Sequence, residues 1–146
     1  MGVFTALRIS ASALTAERLR MDVIANNIAN QQTTRTPEGG PYRRRVVVFA
    51  PVQPAKPVGH AKEINRGMPA QLGVRVAAIL EDRRPGVKVY DPDHPDADPD
   101  GYVTYPNVDI VSEMVNMMAA ARAYEANLIA AQTTKSMALK ALEIGR

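Results

Sequence analysis

The sequence predicts a mainly α-helical protein with a β-rich insertion: long heptad helices at the two ends, paired as a coiled coil, and a small β-rich middle domain between them. Three observations carry this prediction. All eleven prolines lie between positions 37 and 106, so only the two ends are free to form long uninterrupted helices. Both ends repeat apolar residues at alternating steps of four and three, the spacing of one helix face. The middle alternates short β-branched and aromatic runs with Pro- and Gly-rich turns.

Taken in order, the first element is a helix of about 28 residues. Its heptad step picks out Phe4, Leu7, Ala11, Leu14, Arg18, Met21, Ala25 and Ile28, apolar at every position but Arg18. Extended segments follow at 42–50, 74–82, 87–91 and 102–105, and a mobile section is expected around PVQPAKPVGHAKE. The last element is a helix over 107–146, roughly 55 Å long at 1.5 Å per residue. Asn107 is expected to cap it, Asp109 to place a carboxylate in its first turn, and Gly145 to close it. Its heptad runs through Ile110, Met114, Met117, Ala121, Tyr124, Leu128, Ala131, Lys135, Ala138 and Leu142.

The resulting partition is a paired-helix domain of 1–30 with 107–146, and a Pro/Gly-rich β insertion of 31–106. The predicted seam pairs Leu7, Leu14, Met21 and Ile28 with Met114, Met117, Tyr124 and Leu128. Leu128, in mid-seam, is expected near Ala11 or Leu14 if the helices run antiparallel. A second apolar stripe, Val111, Val115 and Met118, is left over for contact with another subunit, because one partner helix cannot cover both sides.

Composition narrows the function. The chain has 146 residues, is 46% hydrophobic and 23% charged, and contains 5% aromatic residues with no Trp, which suits one soluble domain without a large compact core. Charge is segregated: residues 1–45 hold seven Arg against three acids, whereas 91–109 hold six Asp and no Lys or Arg. That asymmetry suits head-to-tail self-association as well as nucleic acid. With no Cys there is no disulfide or thiolate chemistry. Neither a cleavable signal peptide nor a membrane span is readable at the N-terminus, where Arg8 interrupts the apolar run.

Four groups of residues are candidates for chemistry. Asn26, Asn27 and Asn30 fall opposite the seam of the first helix; three poor helix formers there are either a solvated face or amide contacts to a neighbouring subunit. In DADPDGYVTYPN, Asp96, Asp98, Asp100 and Gly101 match the first, third, fifth and sixth places of a calcium loop. The twelfth place is Asn107 rather than Glu, and Pro95 and Pro99 deny it an entering helix, so an acidic turn is the plainer reading. Arg43, Arg44 and Arg45 alternate into a strand without the stacking aromatics or groove-reading helix of a nucleic-acid site; solvent or an acidic partner suits them better. His60 and His94 lack nucleophile motifs and metal spacing, so no catalytic centre, metal or cofactor is implied. The function classes in play are a self-assembling structural subunit, a calcium-binding adhesion or sensor module, and a basic nucleic-acid adaptor.

MDVIANNIANQQTTRTPEGGPYRR resembles the N-terminal signature of the bacterial flagellar rod and hook family. The stretch VKVYDPDHPDADPDGYVTYPNVDIVSEMVNMMAAARAYEANLIAAQTTKSMALKALEIG is similar to members of that family nearly throughout, and 46–86 match more loosely. The resemblance implies a non-enzymatic building block that leaves the cell unprocessed through the flagellar export apparatus. It further implies polymerisation with other copies and with neighbouring rod proteins into the rod that crosses the periplasm, without membrane insertion or nucleic acid. In that family the terminal helices pack as the inner, axial domain, and subunits wind into a helical tube.

Overall fold

The computed structural model describes residues 2–52 and 73–145. The section expected to be mobile lies from residue 53 onward outside the described residues, as does His60. Two long helices and two small sheets account for the ordered elements: α1 (Val3–Ala29), β1 (Arg45–Pro51), β2 (Val74–Glu81), β3 (Val87–Tyr90), β4 (Tyr102–Tyr105) and α2 (Ile110–Ile144). β1 pairs antiparallel with β2 through a bulge at Val48/Phe49, and β3 pairs antiparallel with β4 as a hairpin. α1 packs on α2 and also on the β1–β2 sheet.

Helix ends follow local chemistry. α2 begins three residues later than expected because Asp109, not Asn107, is its cap: the Asp109 carboxylate accepts from the backbone N–H of Val111 (3.2 Å) and Ser112 (3.3 Å). A charged cap at the positive end of the helix dipole is favoured there. The Ser112 hydroxyl, foremost, and those N–H groups hold the Asp109 carboxyl below its ordinary range. Asn107 is used elsewhere, accepting the backbone N–H of Arg44 at 3.1 Å. Gly145 does close α2, its N–H reaching the Ala141 carbonyl at 3.2 Å.

The C-terminal turn of α1 meets the N-terminal turn of α2 at Asn27 and Glu113, and the helices pack along each other, so they run antiparallel. Covered positions on α2 follow Glu113, Met117, Ala120, Tyr124, Asn127, Ala131, Thr134 and Ala138, after which every described residue is exposed. On α1 they include Leu7, Ser10, Leu14, Glu17, Met21, Ile24 and Ile28, with Ala16, Val23 and Asn27 covered on the side toward the sheet. Of the heptad positions, Leu7, Leu14, Met21 and Ile28 on α1 and Met117, Ala121, Tyr124, Ala131 and Ala138 on α2 are half-buried. At other heptad positions the neighbouring residue is the covered one: Ser10, Glu17 and Ile24 rather than Ala11, Arg18 and Ala25, and Glu113, Asn127 and Thr134 rather than Met114, Leu128 and Lys135. Met114 is 55% exposed and Leu128 39%, so neither is a buried knob. α1 must turn one face to α2 and the adjoining face to the sheet, and α2 rotates to meet it.

Few apolar side chains are fully buried: among the described residues Ala16, Val23, Ile24, Val103 and Ala120. Among the described residues the largest fully buried side chain is Glu113. So thin a core leaves much apolar surface exposed among the described residues. Among the described residues no helix is long and apolar enough to cross a membrane.

Candidate functional site

Two features stand out: a buried polar clasp where α1 ends and α2 begins, and apolar helix surface left uncovered along α2 and at the far end of the pair.

The clasp is centred on Asn27, whose amide is fully buried and fully used. Its Nδ2 donates to the Arg45 carbonyl (2.8 Å) and to Glu113 Oε2 (2.7 Å). Its Oδ1 accepts from the Tyr42 hydroxyl and from the Arg45 backbone N–H, both at 2.9 Å. Two donors and two acceptor sites are all that an Asn side chain has. Aspartate would lose both donations, and Gln is one methylene too long for the same four partners.

Glu113 supplies the charge. Its Oε1 accepts Arg44 Nη2 at 2.6 Å and Nε at 3.0 Å, and Asn116 Nδ2 adds a 3.3 Å contact. A buried carboxylate is tolerable only with such a set of donors. Arg44 reaches further, to Asp82 Oδ2 at 3.9 Å, and its carbonyl accepts the Asp82 N–H at 2.7 Å. Asp82 is also gripped by Arg84, whose side-chain hydrogen bonds, followed by its backbone N–H, hold that carboxyl down at about 2. Burial, foremost, pushes the Tyr42 phenol above its ordinary range; the nearby Arg45 acts in the opposite direction and Glu113 reinforces the shift. One hydrogen-bonded unit thus ties the end of α1, the entry to β1, the end of β2 and the first turn of α2. A second, smaller pin lies along α1, where Ser12 Oγ accepts the Val74 N–H at 3.1 Å and donates to the Ile9 carbonyl. Gly73, at φ +114°, allows this approach, since a Cβ there would fall on Ser12 Oγ.

The Asn cluster is consequently split. Asn27 faces the inside of its own chain, which corrects its placement on a face opposite the covered one: with the covered face rotated, residue 27 lies within it. Asn26 is exposed and Asn30 half-buried, each donating to the carbonyl four residues back. Two arginines of the run pair within the chain, Arg44 on Glu113 and Arg45 on Glu81 at 3.3 Å, while Arg43 is exposed. Sequence reasoning missed Glu113 and Tyr42, and it singled out Arg44 without identifying the acid that it pairs with. The available signal was Glu113 itself, the one charged residue among Ile110, Val111, Ser112, Met114 and Val115 at the start of α2.

The acidic stretch forms a turn closed by backbone bonds, Asp91 N–H to the Gly101 carbonyl and Asp98 N–H to the Tyr102 carbonyl. Asp96 accepts the Thr34 hydroxyl at 2.8 Å and lies 3.8 Å from Arg35. Among the described residues no group of His, Cys, Asp or Glu is placed to hold a metal ion.

The uncovered surface is extensive. Val111, Val115 and Met118 are 70%, 54% and 53% exposed, and Met114 lies beside them. At the other end Phe4, Leu142 and Ile144 are more than two-thirds exposed.

Two family models match the two ends of the chain: "Flagella basal body rod protein" over residues 7–35, and "Flagellar basal body rod FlgEFG protein C-terminal" over 100–144. The chain is 47% identical to the flagellar basal-body rod protein FlgC of Borreliella burgdorferi, across 99% of this chain and 98% of that protein. It is 45% identical to FlgC of Bacillus subtilis over the whole of both chains, and 42% identical to FlgC of Escherichia coli, again over both in full.

Proposed function

Given that the chain belongs to the FlgC family of flagellar basal-body rod proteins, we propose that it assembles with further copies of itself and with neighbouring rod subunits through the apolar helix faces that one copy leaves uncovered. It is a non-enzymatic structural subunit of the bacterial flagellar basal-body rod and serves flagellum-dependent motility. Residues 1–30 and 107–146 act as the axial domain, with 31–106 as an insertion. Within a copy, the heptad-spaced covered positions of α1 and α2 interlock as an antiparallel coiled coil in which the polar positions Ser10, Glu17, Glu113 and Asn127 fix register at some cost in stability. Between copies, Val111, Val115 and Met118 make the contact, flanked by Asn26 and Asn30. A contact of this heterologous kind that does not close into a ring builds a helical assembly. The chain reaches the periplasm unprocessed, through the flagellar export apparatus.

The observation that carries this reading is the exposure of Val111, Val115 and Met118 on a helix whose opposite side is covered. Replacing Val115 and Met118 together by Asp tests it. The purified variant should unfold at the midpoint of the parent, while cells carrying it alone should lack rods in isolated basal bodies and fail to swim. Rods of normal length with both carboxylates in place would refute the assignment.

A further inference from the structure

We propose that His94 is a protonation-controlled latch that fastens the β3–β4 hairpin to the loop following α1. With a neutral imidazole it holds Asp96 in place for Thr34 and Arg35, and with a charged one it lets that contact go. The latch lies in the β insertion and is independent of the apolar contacts assigned above to α2.

The hairpin depends on little else for its placement. Among the described residues its strands pack neither on the helices nor on the β1–β2 sheet. Among those same residues, every hydrogen bond and ion pair that joins 85–106 to the rest of the chain ends on Asp96: Oδ2 accepts the Thr34 hydroxyl at 2.8 Å, and Oδ1 lies 3.8 Å from the Arg35 guanidinium. Asp96 is in turn positioned by His94. Residue 95 is a proline, so the first backbone N–H after His94 belongs to Asp96, and it donates to His94 Nδ1 at 3.1 Å. Acceptance at Nδ1 requires the neutral imidazole with its proton on Nε2. The backbone of His94 is fixed independently: its N–H reaches the Asp91 carbonyl at 3.3 Å and its carbonyl accepts the Ala97 N–H at 3.0 Å. Only the ring is free to change.

Protonation converts Nδ1 from an acceptor into a donor, so that two N–H groups face each other and the bond to Asp96 is lost. The surroundings of the ring decide where it goes. On its own turn it has Asp91, Asp93, Asp96 and Asp98. From β4 the Tyr105 ring meets it in a T-shaped arrangement at 6.3 Å, because the turn folds back along the hairpin. From the loop after α1 comes Arg35, on the Asp96 carboxylate. Lys88 stands on the other face of the hairpin, with Tyr90 and Tyr102, since strand alternation puts Val103 and Tyr105 together. An imidazolium placed among these carboxylates competes with Thr34 and Arg35 for Asp96. Histidine is the side chain whose ordinary pKa puts this change between pH 5 and 8. Each pH unit below the midpoint raises the ratio of released to fastened hairpins about tenfold.

Nuclear magnetic resonance of the isotope-labelled full chain, followed between about pH 8 and about pH 5, tests the latch. At the upper end the His94 ring nitrogens should report the Nε2–H tautomer. As the pH falls, the Asp96 amide proton should shift upfield with the midpoint of the His94 ring signals, and the Thr34 and Arg35 amides should move with that same midpoint. His94→Asn is the control: its Oδ1 lies as many bonds from the backbone as Nδ1 does and accepts an N–H two residues on, but it does not titrate. In that variant the Asp96, Thr34 and Arg35 signals should hold their high-pH positions throughout. An Nδ1–H tautomer at the upper end, or Asp96 and Thr34 signals that do not follow His94, overturns the latch. So does a transition that persists in His94→Asn. The tautomer and the parent titration need no variant, so they decide the matter alone if His94→Asn does not fold.

Discussion

The two ends of the helix pair solve opposite problems. At the clasp end, four segments from distant parts of the chain bury Asn27 and Glu113 with almost every polar valence satisfied. At the tip end, Phe4, Leu142 and Ile144 are exposed, more than two-thirds of each uncovered. One end satisfies its polar groups within the copy, and the other leaves apolar side chains exposed. Stability of the free subunit should therefore reside in the clasp, and assembly competence in the surfaces the clasp leaves alone.

Removing the charge centre of the clasp breaks this contrast most directly. Glu113→Ala leaves Arg44 half-buried without its counter-ion and frees the Asn27 amide, and should cost about 3–5 kcal/mol, the range for breaking a buried ion pair. Urea unfolding of the purified monomer measures it; a loss below about 1 kcal/mol would show that the clasp does not hold the chain together. Asn27→Ala should follow at roughly 2–3 kcal/mol, since the Tyr42 hydroxyl and the Arg45 N–H lose their acceptor inside the protein. Its neighbour Asn26→Ala, exposed on the same helix, should change stability by less than about 0.5 kcal/mol. Equal effects at the two positions would remove the distinction between them.

Acid titration probes the rim of the clasp. The folded-state pKa of Asp82 lies at about 2, below the ordinary 3.8, so its contribution is present above pH 4 and is lost as pH falls toward 2. Arg84→Ala removes the principal cause and should flatten the dependence of the unfolding midpoint on pH between 4 and 2, the loss relative to the parent appearing above pH 4 and vanishing toward pH 2. The smallest expected effect on stability is at the tip. Leu142→Ser with Ile144→Ser should leave monomer unfolding within about 0.5 kcal/mol of the parent, yet reduce incorporation into rods. Native-state hydrogen exchange completes the comparison: amide protection should be greatest near residues 23–28 and 113–120 and fall steadily toward both the start of α1 and the end of α2.

Much of this was written in the sequence by local physics. Proline placement and heptad spacing determined that the ends are helices and the middle is not, because a proline ring and a missing N–H act on their own residue and its turn whatever surrounds them. Strand locations followed as closely, with 102–105 matched in full, since β-branched runs between turn residues have few other uses. The membership of the family was legible as well, in ANNIAN and in the long C-terminal stretch.

Which face of each helix is covered was decided only by the tertiary structure. Residues 10, 17 and 24 and their neighbours 11, 18 and 25 differ by 100° around the axis, and an apolar count ranks the second set at least as high. The rotation is set by α1 having to serve α2 and the β1–β2 sheet at once, and by Glu113 finding Arg44, Asn27 and Asn116 within reach. Periodicity sees hydrophobicity along one chain segment, whereas a buried carboxylate is stabilised by donors 69 and 86 residues away in sequence. Those distances close only when the chain folds, and with them the burial of Asn27, the exposure of Leu128 and the contrast between the clasp and the tip.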